Sequence, residues 1–371
     1  GHFIGYAEDS FTPSEFELTP YVRQKDNLLA VEVHKRSTAA FLEDQDFFRF
    51  FGIFRSVKLY AKPDIHVEDL WVKPYLSADN RHGRLELDLR MSATGGKGQG
   101  AKVTARLEDN SGKLLWSDGR VLAGGETPEG DQSLMGKDAQ ECISFQGEID
   151  QVIPWSNTNP ALYRLSVTIT DEKDACVEVV PCAVGFRRFV LENKVMKLNG
   201  ERLMICGVNR HEWSAESGRC ITLKDMEWDI ECLKRNHINA VRTCHYPDRR
   251  EWYQLCDEAG IYVMAETNLE SHGSWQKLGA VEPSWNVPGS VPEWKEAVVD
   301  RVRSNFEWFK NHPSILFWSL GNESYAGENI AAMNRFLKER DDLRLVHYEG
   351  VYHTPAYKEQ ISDVESRMYA Y

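Results

Sequence analysis

The 371 residues contain no apolar run near the length of a membrane span. They also lack paired cysteines. Eight are present (Cys142, Cys176, Cys182, Cys206, Cys220, Cys232, Cys244 and Cys256), but none is spaced C-x-x-C, and several sit inside apolar or helical patterns. That spacing argues against a disulfide frame and a cysteine-rich zinc site, and for reduced thiols in a cytoplasmic protein. H-E-x-x-H is missing, because His211-Glu212 runs on into Trp213-Ser214-Ala215. No glycine-rich phosphate loop follows the first strand of the α/β region, which disfavours a nucleotide fold. Positive charge is short as well: 44 Lys and Arg against 57 Asp and Glu leave a net charge of −13. A nucleic-acid surface is therefore disfavoured, and neutral or cationic partners are favoured. The start, GHFIGYAEDSF, has no basic segment, no apolar leader and no Met, and the end, RMYAY, interrupts a strand-like run. Both features lead us to expect a piece of a longer chain.

Three textures follow one another. Residues 1–62 read as β structure, with strands expected at Leu28–Val33 and Ser56–Tyr60 and an acidic knot, Glu43-Asp44-Gln45-Asp46, between them. Residues 63–186 alternate with period two: Leu85, Leu87, Leu89 and Met91; Val103, Ala105 and Leu107; Leu165, Val167 and Ile169. With turns at 94–100 and 124–130, that pattern predicts an immunoglobulin-like β-sandwich. From 187 to 371 strands and helices alternate. Expected strands are 203–208, 238–242, 261–265, 315–320 and 344–348. Thr222 with Asp225 is a capping box opening a helix whose buried face carries Met226, Ile230 and Leu233. A second helix, 249–259, stops at Gly260. A third starts near Pro292, with Trp294, Val298, Val302 and Phe306 on one face, and Pro313 closes it off.

Polar residues gather just past these strands: Asn209, Arg210, His211 and Glu212; Arg242, His245 and Tyr246; Glu266, Asn268, Glu270 and His272; Asn322 and Glu323; Glu349; Tyr369. Taken singly, each has an ordinary reading as a solvated loop residue. Their recurrence at successive strand ends favours a (β/α) barrel, whose active site sits at that rim. A polar, acidic bowl suits glycoside hydrolysis, which needs paired carboxylates and hydrogen-bonding groups for hydroxyls. Glu323 beside Asn322 suits the acid. Glu270 and His272, two apart, face one way in an extended segment, and with Glu323 they could hold one hard cation such as Mg²⁺.

VNRHEW (208–213), AVRTCHYP (240–247), ETNLESHG (266–273) and WSLGNES (318–324) resemble the successive signatures of glycoside hydrolase family 2. Within that family they are most similar to the bacterial lac-type β-galactosidases. GYAEDSFTPSEFEL (5–18) and LEDQDFFRFFGIFR (42–55) resemble the end of the family's jelly roll. The resemblance implies three parts: a partial jelly-roll domain over 1–62, an immunoglobulin-like sandwich over 63–186, and a truncated (β/α)₈ barrel over 187–371. It implies retaining hydrolysis of terminal β-galactosides by a homo-oligomeric parent. Glu323 would be the acid/base, and Glu270, His272 and Glu323 the Mg²⁺ ligands. Asp46 would be a sugar contact near a Na⁺ site, and His211, Arg242, His245 and Asn322 would line the sugar site. Tyr369 would lie next to the nucleophile, a glutamate expected after residue 371. Two alternatives stay open: another family 2 specificity (β-glucuronidase or β-mannosidase), or a carbohydrate-binding piece without catalysis.

Overall fold

The computed structural model describes residues 1–93, 98–123, 139–272 and 287–367. Seven antiparallel strands come first: β1 (Ile65–Leu76), β2 (Gly83–Ala93), β3 (Lys102–Glu108), β4 (Leu114–Val121), β5 (Ala139–Ile149), β6 (Tyr163–Thr170) and β7 (Cys176–Val184). They form two sheets, β1-β2-β5 and β4-β3-β6-β7. The period-two residues point inward: Leu85, Leu87, Leu89 and Met91 meet Val103, Ala105, Leu107, Leu165, Val167 and Ile169 in one core, none more than 1% exposed.

A three-stranded meander follows, β8 (Phe189–Glu192), β9 (Val195–Leu198) and β10 (Glu201–Arg202). Then come five parallel strands in sequential order: β11 (Gly207–Arg210), β12 (Ala240–Thr243), β13 (Tyr262–Glu266), β14 (Ile315–Ser319) and β15 (Leu345–His347). Between them run α1 (Leu223–Arg235), α2 (Arg250–Ala259), α3 (Lys295–Phe309) and α4 (Glu328–Lys338). Sequential parallel pairing with intervening helices is the wall of a (β/α) barrel. The helices cover its outer face, where Val241, Val263, Ala265 and Ile315 pack with Met226, Trp252, Cys256, Val298 and Phe306. Phe189, Leu198 and Leu203 pack with Ala240, Tyr262, Leu316 and Phe317, and so close the N-terminal end of the strands. The opposite end is left for chemistry.

Local signals explain most boundaries. Thr222 caps α1 through its bond from the Asp225 amide, and the Asp225 side chain answers the Thr222 amide. Gly260 ends α2 at φ +74°. Two expectations fail. The strand anticipated at 203–208 starts four residues later, because Leu203 pairs with Met196 and joins the bottom core instead. Residues 1–64 hold no strand at all, only a 3₁₀ turn at Thr38–Phe41. A strand needs a hydrogen-bonded neighbour and a buried face. Leu28 is 93% exposed and Leu59 82%, so neither expected strand has a face to bury.

The sandwich and barrel are joined by polar groups as much as by apolar ones. Arg187, 5% exposed, donates to three carbonyls of the barrel: Pro313 (2.6 Å), Ile315 (2.5 Å) and Leu343 (3.2 Å). Lys310 reaches Asp69 at 2.7 Å, and Asn311 exchanges hydrogen bonds with the β1 backbone at Leu70 and Val72. Among the described residues no helix is long and apolar enough to cross a membrane. Arg187→Leu should leave the Pro313 and Leu343 carbonyls without this donor, while Ile315 O keeps its bond from Arg344 Nε at 3.1 Å, and lower stability by about 2–3 kcal/mol. Urea unfolding should show an earlier midpoint.

Candidate active site

The centre of the rim is a buried ion pair. Glu266, at the end of β13 and fully buried, accepts from Arg242 Nε (2.6 Å) and Nη2 (2.9 Å), from His245 Nδ1 (2.8 Å) and from Ser319 Oγ (2.7 Å). Burial alone would raise its pKa, but the Arg242 guanidinium and His245 outweigh it and hold the carboxyl at about 2. Arg242 Nη2 also donates to Asn322 Oδ1 at 2.9 Å, so the same guanidinium that satisfies Glu266 sets the Asn322 amide.

Asn322 and Glu323 follow β14 through Gly321, whose φ is +143°. A Cβ there would lie 2.7 Å from the Leu269 carbonyl, so only glycine allows the loops after β13 and β14 to approach. That approach is stitched by the Asn322 amide donating to Leu269 O (2.8 Å) and the Ser271 amide donating to Ser324 Oγ (3.0 Å). Glu323 sits at φ +21°, and its backbone N–H donates to Glu349 Oε1 at 2.6 Å. Glu349 is 4% exposed, and burial pushes its carboxyl up to about 7.

Glu270, His272 and Glu323 converge. His272 Nδ1 lies 2.5 Å from Glu323 Oε2 and 3.6 Å from Glu270 Oε1. One ligand atom from each residue falls within 4.8 Å of the others. Glu270 is 1% exposed, and burial raises its carboxyl to about 8, with Glu323 and Glu266 adding to the rise and a hydrogen bond from Asn322 opposing it. A buried carboxylate facing two further donors is a group that a divalent cation would satisfy.

The segment before β1 closes the bowl from the side. Leu42 O accepts from the Glu270 amide (2.8 Å) and the Asp44 amide donates to Glu270 O (2.9 Å), so residues 42–44 lie beside Glu270 like an added strand. Glu43 accepts from Arg301 (2.7 Å) and Asn268 (2.9 Å), and Gln45 donates to Asn268 (2.8 Å). Phe11 stacks on Tyr246 at 4.0 Å, and Arg55 donates to Glu212 at 2.7 Å. Asp46 is exposed and lines a cavity of about 550 Å³ with Phe47, His211, Trp213, Arg219 and Tyr246. His211 and His245 stand edge to face, 5.5 Å between ring centres.

Seven of the nine expected site residues thus fall into two neighbouring groups, Glu270–His272–Glu323 and Arg242–His245–Asn322, with His211 against the latter. Asp46 shares the cavity with His211 but is in neither group among the described residues. Tyr369 lies outside the described residues. Three residues with structural weight at the site were not among those expected to act there: Glu266, Glu43 and Glu349. Glu266 had a signal, an acid ending the strand next to the one that carries Arg242. Glu349 follows a strand and Glu43 lies in the acidic knot, but no spacing in the sequence pointed to the bonds they make, to the Glu323 amide and to Arg301 and Asn268.

Three family models divide the chain. That described as glycosyl hydrolases family 2, sugar binding domain, matches residues 1–63; glycosyl hydrolases family 2 matches 65–187; glycosyl hydrolases family 2, TIM barrel domain, matches 189–371. The β-galactosidase large subunit of Latilactobacillus sakei is 56% identical over 370 residues, covering 100% of this chain and 56% of that protein. The large subunit of Leuconostoc lactis is 55% identical over the same shares. The chain thus spans a little over half the length of these curated relatives. Among solved structures, a β-glucuronidase from Parabacteroides merdae superposes with a TM-score of 0.71 at 20% identity, covering 88% of this chain and 39% of that one, which supports the fold.

The Glu266 pair has a pH signature. A carboxyl held at about 2 in the fold and near 4.5 when unfolded contributes stability that is complete above 4.5 and is lost as pH falls towards 2. Glu266→Gln should cost about 3 kcal/mol at pH 7, and the gap between variant and wild type should close as pH falls towards 2. Urea titrations at several pH values measure it.

Proposed function

Because the chain belongs to glycoside hydrolase family 2, we propose that it carries the acid/base half of a retaining β-galactosidase. The observation that carries this reading is the convergence of Glu323, His272 and Glu270 beside Asn322 at the C-terminal ends of barrel strands. The identity to β-galactosidase large subunits along the whole chain supports galactose over glucuronate.

In this reading Glu323 donates a proton to the glycosidic oxygen as the bond to the leaving group breaks. A glutamate beyond residue 371 attacks the anomeric carbon, about 5 Å from the acid in retaining enzymes. Glu323 then takes a proton from the water that releases the sugar. Asn322, held by Arg242 Nη2, presents its amide N–H to a sugar hydroxyl. His245, tied through Nδ1 to Glu266, offers Nε2 to another. Asp46 and His211 line the cavity assigned to the galactosyl ring.

Glu270, His272 and Glu323 fit Mg²⁺, which when bound would supply positive charge next to the acid and fix its carboxylate. The donor set, two carboxylates and an imidazole with one ligand atom each within 4.8 Å of the others, supports that fit. At Asp46 a single exposed carboxylate offers less for Na⁺. A complementary subunit or a homo-oligomer is the partner we propose for the whole protein, by analogy with relatives named as large subunits.

Three measurements on the full-length protein test this. Hydrolysis of a nitrophenyl galactoside should far exceed that of the glucuronide or mannoside; the reverse order would move the chain to another family 2 specificity. Glu323→Gln should lower the first step about 10²–10⁴-fold for poor leaving groups and much less for good ones. Equal loss on both would remove Glu323 from the acid role. His272→Ala should abolish the response of activity to added Mg²⁺ and to chelator, while the unfolding midpoint without metal stays within about 0.5 kcal/mol of wild type.

A further inference from the structure

Glu266 has a second partner whose geometry reaches beyond sugar binding. Its Oε1 accepts from His245 Nδ1 at 2.8 Å, which keeps the proton on Nδ1 and leaves the Nε2 lone pair on the far side of the ring. A carboxylate behind one imidazole nitrogen is how metal-binding histidines are oriented and made more basic. His211 also has one ring nitrogen engaged: its Nδ1 lies 3.2 Å from the Tyr246 hydroxyl, so Nε2 is the nitrogen left for another partner. Beside the two rings is the side chain of Cys244. One ligand atom from each of His211, Cys244 and His245 lies within 4.8 Å of the other two. Cys244 is 1% exposed and has no part in the proposed catalysis, whereas His211 opens to the 550 Å³ cavity.

We propose that His211, Cys244 and His245 form a second cation site, selective for a borderline-soft divalent ion such as Zn²⁺, which overlaps the sugar pocket. Two imidazoles and a thiolate suit Zn²⁺, while Mg²⁺ prefers oxygen and hence the cluster that holds the Glu270 and Glu323 carboxylates. Three protein ligands leave the fourth tetrahedral position to a water in the cavity. On binding, the Cys244 S–H bond breaks, its proton passes to solvent, and the sulfur pair is donated to the ion; nothing is oxidised or reduced. The thiolate and the ionised Glu266 supply negative charge against the nearby Arg242 and Arg219. Occupancy would take the two histidines assigned above to the sugar, so the ion should compete with a galactoside. That consequence, but not the binding itself, rests on the proposed function.

The full-length protein, kept in excess Mg²⁺, is titrated with Zn²⁺ during nitrophenyl galactoside hydrolysis, and with Co²⁺ in a spectrophotometer without substrate. Wild type should show inhibition competitive with substrate, and a thiolate-to-Co²⁺ charge-transfer band. Cys244→Ser should lose the band and need about tenfold or more Zn²⁺ for the same inhibition. Equal sensitivity of wild type and Cys244→Ser, or no charge-transfer band in wild type, overturns the site; the first result assigns inhibition to the Glu270 cluster. A band with no galactoside hydrolysis would uphold the site and sink the functional reading instead. Should Cys244→Ser fail to fold, His211→Gln, altered at an exposed side chain, must weaken the Co²⁺ band; an unchanged band is fatal to the proposal.

Discussion

Arg242 and Glu266 are charged groups at a depth where charge is costly. Removing either ion from water costs several kcal/mol, and only a near-complete set of hydrogen bonds offsets it. Glu266 has that set: two bonds from Arg242, one from His245 and one from Ser319, drawn from the two strands that flank its own or the loop that follows one of them. The strand ends must hold their register for the pair to exist. In return the pair aims His245 and Asn322, neither of which could be oriented as firmly by water. The pair is better understood as a positioning device than as a source of net stability.

Around that device the loops are held by backbone contacts of unusual closeness. Gly321 permits the approach of two loops that any side chain would block. Glu349 then takes the Glu323 amide, and the Tyr348 hydroxyl receives the Ser324 amide at 3.2 Å while donating to the Ser324 carbonyl. Glu323 is thus fixed through its main chain, which leaves its carboxylate to approach His272. A general acid needs a defined position and a carboxylate not consumed by structural bonds; this loop separates the two demands.

The sandwich and the barrel helices could be read from sequence because their determinants are local. Alternation at Leu85–Met91 and at Leu165–Ile169 reports one buried face; Thr222 with Asp225, and Gly260, report chain reversals that cost nothing elsewhere. The site clusters were legible for a different reason: the polar residues follow strands whose order in space repeats their order in sequence. Leu28–Val33 misled because its apolar alternation states a preference for strand without naming a neighbour, and the fold supplies none. Leu203 misled because an apolar residue next to a strand can equally plug the bottom of the barrel. The bonds made by Glu43 and Glu349 were illegible. Their partners, Arg301 and the Glu323 amide, are set by how separate segments dock, not by any spacing along the chain.

Residues 42–44 lie against Glu270, and Glu270 is bridged in turn to Asn322, so three segments far apart in sequence share one short hydrogen-bonded ladder. A ladder has a register, and side chains alternate faces along it. Inserting or deleting a single residue near Leu42 would therefore do more than disturb a surface turn. It would force a choice between breaking the bonds to Glu270 and presenting the other face of the segment to the bowl. Length, as much as chemistry, is what these loops must hold in common: the acidic knot before the sandwich and the loops after β13 and β14 are constrained to drift together or not at all.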